Sequence, residues 1–508
     1  MGSRRAKVLM VQGTSSHAGK SVVATALCRI FAQDGFQVAP FKAQNMSLNS
    51  YATPDGGEIG RSQAVQAAAA LAAPSVDMNP ILLKPEGDRR SQVVLLGRPQ
   101  AAASAREYQQ LKPEMWSTVT VALDRLRSEF DIVVIEGAGS PAEINLKQHD
   151  IVNMRVALHA QAPVLLVGDI DRGGIFAQLV GTMELLEPEE RALVGGHVIN
   201  KFRGDPSLLD SGLEFLRERT GAPVVGVVPY FTDIHIPEED SVGLVADPTI
   251  DDEAAIDVAV MRLPRIANFD DFDPLRHEPG VRVRLVARAS EFGDPDLVVI
   301  PGSKTTVADL GWLRERGLAD RITKARRRGM PVIGICAGYQ MLGERLLDPD
   351  SVESRAAETP GLGLLPATTR FHSDKATHQV EARVAGSQGL LSRCTGAQVV
   401  AYEIHMGVTT ATDCSSPFLV DEQSGQRIDF SDGAMDAEGL TLGTYLHGLF
   451  HNRDVRRSIL ACAGARRGLS LPTDHDDIEP NAEYDKLASL VREHLDMGLI
   501  YGLTGLER

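Results

Sequence analysis

The sequence predicts an α/β protein built from two domains. Three observations carry that prediction: apolar runs of strand length alternate with helix-compatible segments, the rhythm breaks once near the middle, and several runs end in glycine-containing turns. At 508 residues the chain has room for two or three domains, each with its own core.

In the first half, KVLMVQG, QVAPFK, DIVVIEGAG, APVLLVGD, GGHVINKF and APVVGVVPY read as buried strands of a mostly parallel sheet. The text then turns acidic and aperiodic in EEDSVGLVADPTIDDEAA, which predicts a first domain over 1–238 and a linker over 239–255. A second alternation, IDVAVMRLP, VRVRLVA, DLVVIPGS, PVIGIC and GLTLGTYLHG, predicts a second α/β domain over 256–460. In the remaining 461–508, Tyr484, Leu487, Val491 and Leu495 recur at helical spacing, as in an amphipathic helix docked on one of the domains.

The net charge of −16 argues against a nucleic acid or an anionic membrane as partner. Five scattered cysteines (Cys28, Cys336, Cys394, Cys414 and Cys462) contain no C-x-x-C pair, so neither a disulfide framework nor a zinc site is expected. MGSRRAKVLMVQG runs straight into a strand with no signal-peptide pattern, and AVQAAAALAA is too short to span a bilayer. A cytoplasmic protein is the expectation. Oligomeric state is not legible.

The first strand ends in VQGTSSHAGKS, a glycine-rich turn feeding a helix. Such a loop cradles phosphates with backbone N–H groups and the helix N-terminus. Gly13, Thr14, His17, Gly19 and Lys20 are the expected ATP contacts, with Lys20 on the β/γ oxygens and Ser21 on Mg²⁺. Five residues rather than the usual four separate Gly13 from Gly19, and the loop resembles that of dethiobiotin-synthetase-type ATPases. Other residues fall at carboxyl ends of parallel strands, where such a site draws its groups. Glu136 is the candidate second metal ligand, Lys42 and Asn200 further ATP contacts, and Asp169, Asp171 and Arg172 phosphoryl-transfer candidates. Lys84, Arg89 and Arg90, in ILLKPEGDRRSQ, would receive an acidic substrate or stand as a solvated loop.

In the second half, MPVIGICAGYQML sets Cys336 between Gly334 and Gly338 after an apolar run. The spacing is the thiol counterpart of the G-x-S-x-G nucleophile elbow. A buried core cysteine is the alternative. His447, at the end of LTLGTYLHG, is the candidate base, and the backbone N–H of Gly302 or Ser303 would join that of Ala337 as an oxyanion hole.

GICAGYQML with a later YLHG resembles a class I glutamine amidotransferase domain, which implies a flavodoxin-like fold with Cys336 as nucleophile and His447 as base. Many such domains carry a carboxylate two positions after the histidine; here Leu449 stands there, an absence shared by the cobalamin-pathway branch. Glu403, in AYEIHMG, is the nominated orienting carboxylate, with a structural ion pair as the alternative. QGTSSHAGKS, FKAQNMSLNS, GEIGRSQAVQA, EGAGSPAEINL, GDIDRGG, LPRIANFDDFDPL, AYEIHMG and YLHGLF together extend the resemblance over almost the whole chain, to the cobyric acid synthase family of cobalamin-pathway glutamine amidotransferases. That resemblance implies ATP, L-glutamine and adenosylcobyrinic acid a,c-diamide as substrates, with amidation at the b, d, e and g carboxylates. Cobyrinic acid a,c-diamide synthase and other two-domain amidoligases are the rival enzymes. A partitioning-type ATPase switch is the non-enzymatic rival, and it has no use for Cys336 and His447.

Overall fold

A computed structural model of the chain describes residues 5–87, 89–237, 255–472 and 477–507. The expected linker falls almost wholly outside the described residues.

The six apolar runs of the first half form one parallel sheet, in the order Val224–Pro229, Val194–Phe202, Val164–Asp169, Lys7–Gly13, Ile132–Glu136 and Val38–Phe41. The central strands are buried on both faces, which is why they read as continuous apolar runs rather than alternating ones. Parallel pairing puts every carboxyl end on one edge. Val11 pairs with Glu136, Gly13 with Val167 and Asp169 with Asn200, so the phosphate loop and the predicted strand-end residues share that edge.

The second sheet runs Val281–Val286, Ile256–Met261, Leu297–Ile300, Val332–Ile335, Thr441–Thr444, Ala434–Met435, with only the last strand antiparallel. Ile300 pairs with Gly334 and Ile335 with Thr444. Three strands therefore deliver Gly302, Cys336 and His447 to the same edge.

Two antiparallel systems accompany the parallel sheets. Residues 44–104 leave the first sheet as Gln44–Met46, Ile81–Pro85, Arg90–Leu95 and Arg98–Ser104, with a separate hairpin of Ser50–Ala52 and Glu58–Gly60 that leads into the helix Arg61–Ala69. In the second half Ala367–Val384 pairs at length with Gln398–Ala411, and Phe418–Gln423 and Gln426–Asp432 extend the sheet.

The C-terminal helix Pro480–His494 returns to the first half of the chain. Tyr484, Leu487, Val491 and Leu495 share a core with Leu9, Leu27 and Phe31. Arg29 meets Asp485 at 2.7 Å and Arg492 meets Asp34 at 3.0 Å. The chain thus crosses between its halves twice. Among the described residues no helix is long and apolar enough to cross a membrane.

Candidate active sites

The phosphate loop links the strand Lys7–Gly13 to the helix Lys20–Gln33. Gly19 adopts φ +99°, and a Cβ there would lie 1.9 Å from Asn200 Nδ2, so only glycine fits between loop and strand end. Asn200 Nδ2 donates to Ala18 O at 2.9 Å and Lys201 Nζ to His17 O at 2.7 Å, fixing the loop from below. Lys20 Nζ donates to Ser15 O (2.8 Å) and Gly139 O (3.0 Å) and so spans the loop's concave side. Thr14 Oγ1 donates to Gln178 Oε1 at 3.0 Å.

Glu136 is the hub of this edge. Its buried carboxylate accepts from Ser21 Oγ (2.9 Å), Lys42 Nζ (2.9 Å) and Gln66 Nε2 (2.5 Å). Burial alone would push this carboxyl up, but Lys42, Gln66 and Ser21 outweigh it and hold it below the ordinary carboxylate value. A hydroxyl against an ionised carboxylate at a phosphate loop is a donor set that suits Mg²⁺, which takes few protein oxygens and completes its shell with water and phosphate. Asp169 accepts from Lys201 Nζ at 2.8 Å, Arg172 stands 3.7 Å from the same oxygen, and Asp171 accepts from Arg203 at 3.0 Å. The predicted set converges on one edge, joined by Gln66 and Lys201.

The second centre is the elbow. Cys336 takes φ +53°, ψ −110°, a conformation that costs a non-glycine residue energy and juts its side chain from the turn between Val332–Ile335 and Ala337–Leu342. The flanking glycines are sterically required: a Cβ on Gly338 would lie 2.0 Å from Ile300 O, and one on Gly334 2.6 Å from Gly338 C. Sγ faces Ile404 O at 3.5 Å. Gly302, Ser303, Ala337 and His447 line the cavity onto which Cys336 opens, and His447 packs so closely that a Cβ on Gly302 would stand 2.9 Å from its Cε1.

His447 is oriented by a carboxylate, but not by Glu403. Asp271 Oδ2 lies 2.7 Å from His447 Nδ1, and Asp271 Oδ1 accepts from Gly448 N at 2.7 Å. Glu403 instead faces His405, with Oε2 3.4 Å from Nε2, and accepts from Gln423. The reason is strand alternation. Tyr402 bridges His447 through both backbone hydrogen bonds and stacks its ring on the imidazole at 5.3 Å and 19°, so the next side chain leaves by the opposite face. Burial would lower the His447 imidazole; the Asp271 carboxylate and the Cys336 sulfur outweigh it and raise it to about 10. A signal for Asp271 was present in ANFDDFDPL, because two aspartates between phenylalanines become buried carboxylates that need partners.

The basic trio of ILLKPEGDRRSQ divides. Arg89 and Arg90 are exposed. Lys84 instead lies buried on the strand Ile81–Pro85, donates to Glu58 Oε1 and Ser50 Oγ, and lines the cavity beside Cys336. Lys375, from the second half, donates to the other oxygen of Glu58. One buried carboxylate thereby joins lysines from the two halves.

A phosphate loop with a metal-compatible acid and a cysteine–histidine–aspartate set in one chain define a glutamine-dependent amidoligase. Comparison with known proteins agrees. Residues 9–242 match the CobQ/CobB/MinD/ParA nucleotide binding domain and residues 257–455 the CobB/CobQ-like glutamine amidotransferase domain. Cobyric acid synthase of Dehalococcoides mccartyi is 51% identical over 498 residues, covering 98% of this chain and 99% of that protein. The cobyric acid synthases of Sorangium cellulosum and Moorella thermoacetica are each 51% identical, over 99% of this chain and at least 98% of their own lengths. The chain belongs to the cobyric acid synthase family.

Proposed function

We propose that this enzyme amidates the b, d, e and g carboxylates of adenosylcobyrinic acid a,c-diamide, using ATP to activate each carboxylate and glutamine as the source of ammonia. The observation that carries the reading is the Cys336–His447–Asp271 arrangement at a strained strand-to-helix turn, in the same chain as a phosphate loop. The domain plan that fits is 1–238 for the synthetase, 256–460 for the glutaminase, and 461–508 as an extension returning to the synthetase.

At the glutaminase site Asp271 holds His447 Nδ1–H, so Nε2 is the nitrogen that carries the Cys336 proton, as the imidazolium that Asp271 and the Cys336 sulfur favour. The thiolate attacks the glutamine amide carbon and the oxyanion forms against the N–H groups of Gly302, Ser303 or Ala337. Collapse expels ammonia, which leaves with a proton returned by His447. Water then hydrolyses the thioester to glutamate and restores the thiol.

At the synthetase site a substrate carboxylate oxygen attacks the γ-phosphorus of ATP and expels ADP, giving an acyl phosphate. Ammonia attacks the acyl carbon, phosphate leaves, and the amide loses a proton. Lys20, Lys42 and the loop N–H groups offset charge on the phosphates, and most of the catalysis is positioning. Ser21 and Glu136 would hold Mg²⁺, which when bound neutralises phosphate charge. Lys201, held by Asp169 at the same edge, would offset charge on the transferred group.

The test is mass spectrometry of the corrinoid after incubation with ATP and glutamine. Stepwise replacement of carboxylates by amides supports the reading; an unaltered diamide with an active glutaminase refutes it.

A further inference from the structure

Arg61 belongs to the nucleotide-binding half, where it opens the helix Arg61–Ala69. Its Nε lies 3.0 Å from Asp270 Oδ2. Asp270 is 1% exposed, and neither of its oxygens has a hydrogen-bond partner among the described residues, so the guanidinium is what makes this buried carboxylate tolerable. The next residue is Asp271, which holds His447 Nδ1.

A second path leaves the same side chain. Arg61 Cζ stands 5.2 Å over the Tyr51 ring, Tyr51 packs on Tyr402 at 5.3 Å, and Tyr402 stacks on His447 at 5.3 Å. Tyr51, like Arg61, belongs to the first half, and its hairpin grips the Asp271 segment directly. Ser50 N donates to Asn268 Oδ1 at 3.0 Å, and Phe269 N donates to Asn49 Oδ1 at 3.2 Å. The imidazole is therefore held at Nδ1 through Asp271 and on one ring face through Tyr402, and both supports run back to Arg61.

We propose that Arg61 is a positioning residue of the glutaminase site, supplied by the synthetase half through Asp270 and Tyr51. It touches neither glutamine nor the reacting atoms. Its work is to keep Asp270 neutralised, so that the segment carrying Asp271 stays in place, and to back the aromatic stack behind His447. The glutaminase is then correctly assembled only while the two halves are docked. The inference rests on the reading of Cys336 and His447 as the glutaminase pair.

The experiment compares full-length Arg61→Met, Arg61→Lys, Tyr51→Leu and Asp271→Asn enzymes for glutamine hydrolysis and for amidation driven by ammonium chloride. An angstrom-scale displacement of a catalytic group costs up to ~100-fold. The expected result for Arg61→Met is a ~10–100-fold lower kcat for glutamine hydrolysis with KM for glutamine nearly unchanged and ammonium-driven amidation retained. Arg61→Lys, which keeps the charge beside Asp270, recovers most of that kcat, and Tyr51→Leu shows a smaller loss in the same parameter. Wild-type kcat in Arg61→Met overturns the proposal, as does an equal fall with both nitrogen sources. If Arg61→Met does not fold, wild-type kcat in Tyr51→Leu overturns it. A collapse of hydrolysis in Asp271→Asn alone would remove Arg61 and leave the glutaminase reading standing; unimpaired hydrolysis in Asp271→Asn would count against that reading itself.

Discussion

His447 and Asp271 lie 176 residues apart in the chain and meet through a 2.7 Å contact between Nδ1 and Oδ2. The carboxylate arrives not from the turn after the histidine, where Leu449 sits buried, but from a short segment that the synthetase half also grips. The carboxylate contact that Leu449 cannot make comes from elsewhere in the fold.

This relationship predicts a sharp difference between two carboxamide substitutions. Asp271→Asn removes the charge that fixes the imidazole tautomer, and the serine-protease precedent for such a change is a loss of about 10⁴ in turnover. Glutamine hydrolysis should fall by ~10²–10⁴ while ammonium-driven amidation persists. Glu403→Gln should leave hydrolysis within a few-fold of wild type. Steady-state assays of both variants check the pair, and the reverse ranking would restore Glu403.

Much of this architecture was legible in the sequence, for physical reasons. Strands buried on both faces carry unbroken apolar runs, and all eleven chosen segments, the partly buried edge run VRVRLVA among them, are strands of the two central sheets. The elbow and the phosphate loop are local chemistry, written in glycine spacing around Cys336 and Lys20. What escaped was long-range or alternating. The Asp271 contact is set by tertiary packing, and strand adjacency alone points to Glu403 without specifying the face its side chain takes. Lys84 read as loop charge because its strand is short and its partner, Glu58, sits 26 residues away.

The nucleotide site makes the opposite prediction from the glutaminase. Lys20→Ala removes a cation from the phosphates, and Glu136→Gln removes the charge that Ser21 and Lys42 surround. Each should depress amidation by at least ~100-fold with glutamine and with ammonium alike. Equal ammonium-driven rates in wild type and Lys20→Ala would sink the phosphate-loop assignment.

Glu353 gives a pH prediction. It lines the cavity beside Cys336 and accepts from Thr306 N at 2.9 Å, and burial raises its carboxyl to about 7 despite Lys304. A folded-state value above the unfolded one means the fold favours the protonated form. Its contribution to stability is present below about 4.5 and is lost as pH rises through 7. Glu353→Gln should therefore gain on wild type by roughly 1–2 kcal/mol between pH 5 and pH 8, after allowance for solvent in the cavity. Thermal melts at the two pH values measure it, and a constant difference between the proteins would contradict the assignment.

Glu58 predicts how the halves are joined. Glu58→Gln leaves Lys84 and Lys375 buried without their shared carboxylate, a change that costs about 3–5 kcal/mol when a buried pair is broken. Chemical denaturation of the variant should show a matching loss, and an unchanged midpoint would place the two lysines in solvent.

In the proposed reaction one chain makes ammonia at Cys336 and uses it at a separate ATP site. Cys336→Ser in the full-length enzyme tests it most directly, with the diamide, ATP, and either glutamine or ammonium at alkaline pH, and the corrinoid read by mass spectrometry. The expected result is no amidation from glutamine and near wild-type amidation from ammonium. Amidation from glutamine at the wild-type rate, or none from ammonium in a folded variant, would contradict it.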